Sequence, residues 1–125
     1  MNAIQMAQNA YRQDAQATRT HRGVEYDAIA RITHALKTAS ERGTTGFRDM
    51  AAAIHDNRRL WTLLAADVAD AGNPLPQALR ARIVYLAEFT RLHSSKVLTQ
   101  GASAAPLIEV NTAILRGLRD GGASA

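Results

Sequence analysis

The sequence predicts an all-α protein, a compact bundle of about four to five helices with mostly antiparallel neighbours. Three observations support this fold class. Apolar residues recur at steps of three and four in several long stretches, which is the spacing of one helix face. The background is rich in alanine, leucine, arginine and glutamine, and the 125 residues include only three prolines. Glycine and proline cluster between the stretches, and short connections favour antiparallel packing.

The composition limits the class of protein further. With 46% hydrophobic and 21% charged residues, the chain suits one domain with a sizeable core, and 5% aromatic content makes that core aliphatic. There is no cysteine, so disulfides and cysteine metal sites are excluded. The apolar runs are too short to cross a bilayer, and the polar N-terminus lacks the apolar segment of a signal peptide. We therefore expect a cytoplasmic protein without membrane insertion.

The two ends of the chain carry the weakest patterns. Residues 1–13 predict a weak N-terminal helix, because only a thin apolar stripe stands among glutamines and asparagines. Residues 14–22 are polar and linker-like. At the other end, residues 120–125 have nothing to bury and are expected to be disordered. The prediction is thus a single helical domain over residues 1–119.

The second predicted helix begins near residues 20–23 and ends at about Ser40. Gly43 follows it, and glycine suits the left-handed conformation that commonly ends a helix. After Gly46 a third helix begins around Phe47. The short connection predicts that these two helices lie antiparallel.

The third helix has the clearest periodicity and carries the only tryptophan. It is expected to end at Gly72, Asn73 and Pro74, where glycine would supply a left-handed cap and proline cannot continue the ladder. One polar residue, Asn57, interrupts its otherwise apolar face. The members of that face are Phe47, Met50, Ile54, Asn57, Trp61, Leu64 and Val68.

Charges near the next turn oppose the helix dipoles on both sides. Asp67 and Asp70 occupy the last turns of the third helix, and Arg80 lies at the start of the fourth. Because a tight turn joins the two helices, we expect Asp67 or Asp70 to contact Arg80. An exposed contact of this kind contributes only about 0–1 kcal/mol.

The fourth helix spans roughly residues 76–99 and is apolar on two sides. One stripe holds Leu79, Ile83, Leu86 and Val97, and the other holds Tyr85, Phe89 and Leu92. Such a helix is either central in a bundle or offers one side to a partner. Gly101 ends it, and a fifth helix is expected over residues 106–119, again with one asparagine, Asn111, in its apolar face.

No pattern in the sequence indicates catalysis or a bound cofactor. The four histidines show neither i,i+4 pairing nor the HExxH spacing of zinc sites. Asp67 and Asp70 have no accompanying base or nucleophile, and no glycine-rich loop has phosphate-binding spacing. The sequence therefore predicts a protein that is not an enzyme and that holds no metal or cofactor.

The two asparagines and the tryptophan each have two interpretations. Asn57 and Asn111 either hydrogen-bond inside the bundle and fix helix register, or line a groove that binds an incoming helix. Trp61 is either a core anchor or a binding hot spot. The net charge of +4 is modest, and Arg58 with Arg59 is the densest basic tract, so a solvated surface is favoured over an RNA-binding face.

Several blocks of the sequence resemble one family along nearly the whole chain. NRRLW begins at Asn57, LPQALRARIVYLAEF runs from Leu75 to Phe89, and PLIEVNTAILRGL runs from Pro106 to Leu118. In this order the blocks resemble the flagellar biosynthesis regulator FlaF of alphaproteobacteria.

The resemblance implies a non-enzymatic cytoplasmic helper of flagellum assembly. Its expected partner is flagellin, bound through terminal helical segments, in the manner of a secretion chaperone that promotes flagellin production and export. The alternative is a post-transcriptional regulator that acts on flagellin mRNA directly or through the regulator FlbT, and a scaffold that binds only FlbT is a third hypothesis. The candidate partner-binding residues are Asn57, Arg58, Trp61, Tyr85, Phe89 and Asn111.

Overall fold

Four α-helices form the described part of this computed structural model, which comprises Ala3 and residues 26–123, with side chains described as far as residue 117. Helix α1 covers residues 26–41, and a 3-10 turn, Gly43–Gly46, leads into α2, Phe47–Ala69. Helices α3, Gln77–Gln100, and α4, Ala105–Ala123, complete the bundle. These helices pack against one another, and the described residues contain no strand, which confirms the predicted all-α bundle.

The core draws on every helix. One cluster of buried side chains joins α1 to the C-terminal half of α2 and to parts of α3 and α4. A second cluster lies beside it. Apart from one tryptophan, both clusters are aliphatic, as the composition predicts. The first contains Ile29, Trp61, Leu64, Val68, Ile83 and Ile114, and the second contains Ile32, Leu36, Ala53, Ile54, Val97 and Leu107.

The turn between α1 and α2 depends on two glycines. Gly43 adopts φ +58°, the left-handed conformation predicted for it. Gly46 is closely packed, because a Cβ there would lie 2.6 Å from the carbonyl oxygen of Ala39. An exposed ion pair between Arg42 and Asp49 spans the same turn. The third predicted helix begins at Phe47 as expected.

Helix α2 ends earlier than predicted and by a different device. It stops at Ala69, and Asp70 is extended with φ −69° and ψ 130°. The predicted left-handed cap at Gly72 was wrong, since the positive-φ glycines among the described residues are Gly43 and Gly101. Instead the guanidinium of Arg80 donates to the carbonyl oxygens of Val68 and Asp70 at 2.9 and 3.0 Å. These carbonyls lie where a helix runs out of intrahelical partners.

The predicted contact across this turn therefore forms through the backbone. Arg80 meets Asp70 at its carbonyl oxygen. The carboxylate of Asp70 accepts from the backbone N–H of Gly72 at 3.2 Å, and that of Asp67 accepts from the side-chain amide of Asn73 at 3.2 Å. The turn is thus closed by hydrogen bonds from both directions.

The ends of α3 and α4 follow the sequence more closely. Gly101 adopts φ +68° and caps α3, as predicted. The hydroxyl of Ser103 accepts from the N–H of Ala105 and opens α4. The backbone of α4 is helical to Ala123, past the predicted end at residue 119.

Some predictions concern residues that the structure does not describe. The N-terminal helix over 1–13 and the linker over 14–22 lie outside the described residues, apart from Ala3. The domain limits and the disorder of residues 120–125 stay predictions. Within the described residues, no helix has an apolar stretch long enough to cross a membrane.

Candidate functional site

Three of the six candidate residues form one buried hydrogen-bond chain. Asn57 and Asn111 are fully buried, and Trp61 is 1% exposed. The indole Nε1–H of Trp61 donates to Oδ1 of Asn111 at 2.8 Å, and Nδ2 of Asn111 donates to Oδ1 of Asn57 at 2.9 Å. These hydrogen bonds join α2 to α4 through the core, as expected if the two asparagines fix the register of the helices. A role for the three residues in binding a partner stays a prediction.

A concave surface of the described bundle lies between α2 and α3. It is a largely apolar hollow of about 400 Å³. Ala65 on α2 and Ala87 on α3 contribute small side chains to it, and Val84, half exposed, forms an apolar wall. We call this hollow the α2–α3 groove. Its lining residues are Arg58, Trp61, Thr62, Ala65, Val84, Ala87, Glu88, Thr90 and Arg91.

One arginine lies at an end of the groove, and a second lies beyond its other end. At one end Nη2 of Arg58 on α2 donates to the hydroxyl of Ser95 on α3 at 2.7 Å. Beyond Val84 a shallower hollow continues to Val68 and Arg80, where Arg80 reaches back to the end of α2. Arg58 and Val68 are ten residues apart on one helix, which corresponds to roughly 15 Å. A surface of this length accommodates about three turns of a second helix.

The groove also contains polar groups whose hydrogen-bonding capacity is unused. Thr90 is 1% exposed, and its Oγ1 has no hydrogen-bond partner. The Nε of Arg58 is likewise buried and unpartnered. Nδ2 of Asn57 and Oγ of Ser94, which do not line the groove, are buried and unpartnered as well. Buried polar atoms are normally satisfied, so the unsatisfied ones call for an explanation.

Glu88 and Arg91 form an ion pair on the rim of the groove. Arg91 donates from Nη2 and Nε to the two carboxylate oxygens of Glu88 at 2.6 and 3.0 Å. These hydrogen bonds, with the charge of Arg91, lower the pKa of the Glu88 carboxyl, and the same hydrogen bond raises the pKa of Arg91. The charges of Glu88 and Arg91 neutralise each other. Arg58 is the groove-lining charge that has no acidic partner among the described residues.

Tyr85 and Phe89 lie on the other flank of α3. Tyr85 is 72% exposed, and Leu92, two turns further on, is 50% exposed. Phe89 is half-buried and stacks on His93, with ring centroids 5.6 Å apart and an interplanar angle of 7°. His93 in turn contacts the carbonyl oxygen of Ser103 through Nε2 at 2.7 Å. The predicted second stripe of α3 is therefore present as a partly exposed apolar surface.

The sequence pointed to Arg58 and Trp61 but missed most of the groove. Ala65, Val84, Ala87 and Thr90 were not predicted site residues, because their proximity depends on how α2 and α3 are aligned. The available signal was the pair of alanines in helix positions that flank the buried faces. Small residues at such positions leave room between neighbouring helices.

Comparison with known proteins places the chain in a family. No curated protein matches it, and no solved structure matches it. The sequence model of the family described as flagellar protein FlaF matches residues 7–118, which includes the described side chains of all four helices. The chain belongs to the flagellar protein FlaF family.

Proposed function

We propose that the protein is a non-enzymatic flagellum-assembly factor that binds flagellin in the cytoplasm and promotes its production and secretion as a chaperone or adaptor. Membership of the FlaF family supports the flagellar role. The structural observation that carries the proposal is the open apolar groove between α2 and α3. FlbT stays a second proposed partner.

The shape of the groove suits a helical client. Amphipathic helices bind by laying an apolar face into a hydrophobic groove, with contacts at i, i+3, i+4 and i+7. Flagellin terminal segments, unfolded before assembly and helical in the filament, would expose such a face in the cytoplasm. Binding in the groove would cover that apolar face of flagellin and prevent premature polymerisation. Tyr85 and Phe89 are proposed as further contacts along the outer flank of α3.

The direct test is calorimetric titration of the purified protein with unpolymerised flagellin. We expect saturable binding with a low-micromolar Kd. Absence of binding by both titration and co-purification would contradict the chaperone proposal. Trp61→Ala is a poor probe here, because removing a buried tryptophan opens a core cavity and threatens the fold itself.

Two adjacent alanines offer a matched pair of groove variants. Ala65 lines the groove and is half-buried, whereas Ala66 is exposed and does not line it. We expect Ala65→Arg to weaken flagellin binding at least about tenfold, a loss of about 1.4 kcal/mol. Ala66→Arg adds the same charge outside the groove and should leave the affinity nearly unchanged. Equal effects would show that flagellin binds elsewhere.

The regulatory alternative, direct binding of flagellin mRNA, has weaker structural support. Arg58, Arg80 and Arg91, the basic side chains around the groove, all make hydrogen bonds within the protein. A pull-down from cytoplasm with identification of the bound protein and RNA separates the two functions.

A further inference from the structure

The α2–α3 groove is largely apolar but is also lined by polar side chains. Ala65, Val84 and Ala87 supply the apolar part. Arg58 and Thr90 also line it, and each has a buried polar atom without a hydrogen-bond partner. This division matters for the chemistry of an occupant, because a purely apolar helix would leave the polar atoms dry and unpaired.

Arg58 lacks a counter-charge among the described residues. Its Nη2 is used by the hydroxyl of Ser95, a neutral acceptor, while Nε is buried without a partner. The carboxylate of Glu88 lies in the same groove but is held by Arg91 through two hydrogen bonds. A guanidinium covered by a bound helix would lose water, and an acidic partner would compensate for that loss.

Thr90 adds a second, independent indication. Its side chain is 1% exposed, lines the groove, and leaves Oγ1 without a hydrogen-bond partner. A threonine hydroxyl can donate, as can Nε of a guanidinium. A carboxylate has several acceptor positions and no donor when ionised, so one such group can accept from both side chains.

We infer that the groove selects an amphipathic helix whose apolar face carries a single Asp or Glu, and that Arg58 and Thr90 bind this carboxylate. The inference rests on the proposed function, in which the helix is a terminal segment of flagellin. The apolar residues on either side of the acid pack on Val84 and between Ala65 and Ala87. Arg58 thereby determines which segment binds and in which register.

The test uses synthetic peptides that tile the two terminal segments of flagellin, with binding followed by calorimetry. For the tightest peptide, each Asp and Glu is changed in turn to Asn or Gln. Arg58→Met removes the guanidinium but keeps an unbranched apolar chain, and Arg59→Met does the same at the exposed neighbouring position. Circular dichroism and thermal unfolding confirm that each variant is folded.

We expect Arg58→Met to weaken peptide binding about tenfold to a hundredfold, as for loss of a charge-assisted hydrogen bond. Arg59→Met should change it less than about twofold, because an exposed charge outside the groove contributes little. Thr90→Val, which removes only the hydroxyl, should weaken binding about threefold to tenfold. One acidic position of the peptide should show a matching loss that disappears in Arg58→Met.

The outcomes separate this inference from the function on which it rests. If neither flagellin nor any terminal peptide binds the wild-type protein, both fail. If the wild type binds but Arg58→Met and Arg59→Met bind equally well, the flagellin proposal stands and the role of Arg58 is wrong. A loss that is the same for every acidic position of the peptide would also overturn a specific carboxylate site.

Discussion

Two asparagines lie in the apolar faces of α2 and α4, and their side-chain amides hydrogen-bond to each other. A buried amide needs partners for its donors and its acceptor. Asn111 accepts from the indole of Trp61 and donates to Asn57, so the indole N–H and both amide oxygens are paired across two helices. The amide Nδ2 of Asn57 is buried without a partner. Sliding either helix by one residue would break both bonds. These two hydrogen bonds therefore specify the alignment of α2 with α4.

Replacement of Asn111 tests this role directly. Asn111→Leu should lower the free energy of unfolding by about 2–4 kcal/mol, because it strands the Trp61 indole N–H and the Asn57 carbonyl at about 1–3 kcal/mol each. Urea denaturation measures the change. The double variant Asn57→Leu with Asn111→Leu leaves fewer unpaired groups and should lose less than the sum of the single losses. Strictly additive losses would show that the amides are not coupled.

Replacement of Thr90 should stabilise the free protein, whereas replacement of Asn111 should destabilise it. Its buried hydroxyl has no partner, so Thr90→Val removes an unsatisfied group at nearly constant shape. We expect the free energy of unfolding to rise by about 1 kcal/mol. Thr62→Val serves as the control, because the hydroxyl of Thr62 is exposed and donates to the carbonyl oxygen of Arg58. Destabilisation by Thr90→Val would mean that the hydroxyl is already satisfied.

The limits of the helices show which local signals the sequence expresses. Gly43 and Gly101 take the left-handed conformations that their positions predict, because each follows the last turn of an amphipathic helix. Gly72 does not, since Arg80 reaches from the next helix and occupies the carbonyls at the end of α2. That contact is tertiary, and no local pattern distinguishes it from a glycine cap. Sequence therefore predicts the helices well and the tertiary caps poorly.

The turn before α2 provides a sensitive element-scale test. Gly46→Ala places a Cβ 2.6 Å from the Ala39 carbonyl oxygen and 2.9 Å from Cβ of Arg42, so the turn must shift. We expect a loss of about 1–3 kcal/mol in the free energy of unfolding. Gly72→Ala is the matched control, because its nearest neighbour would be the Asp70 carboxylate at 3.9 Å. Equal stability of the two variants would contradict the packing described for Gly46.

In the described part of the bundle, the same helices that bury the core leave the α2–α3 groove open. The apolar periodicity puts Trp61 on the apolar face of α2 and Ile83 and Val97 on one apolar stripe of α3, and all three are buried. It does not predict the groove, because Ala65 and Ala87 become neighbours only when the helices are aligned. The sequence also indicates the second apolar flank of α3, where Tyr85 is exposed. Family membership supports a flagellar role for the protein.

The salt dependence of binding separates a protein client from RNA at the level of the whole molecule. If about six to ten phosphates were bound, the affinity would fall about a thousandfold to a hundred-thousandfold between about 50 and 200 mM salt. A groove with a single engaged arginine should lose only roughly fourfold or less over the same range. Calorimetry with flagellin and with a flagellin mRNA fragment, at the two salt concentrations, makes the comparison. Salt-sensitive RNA binding without flagellin binding would favour the regulatory alternative.

The central claim is that flagellin binds the groove between α2 and α3. At 13.5 kDa, the protein is small enough for residue-level NMR titration with a flagellin terminal peptide. We expect the largest chemical-shift changes at Ala65, Val84, Ala87 and Thr90, together with the indole N–H of Trp61 beneath them. Saturating changes confined to α1 and α4, or no changes at micromolar peptide, would contradict the claim.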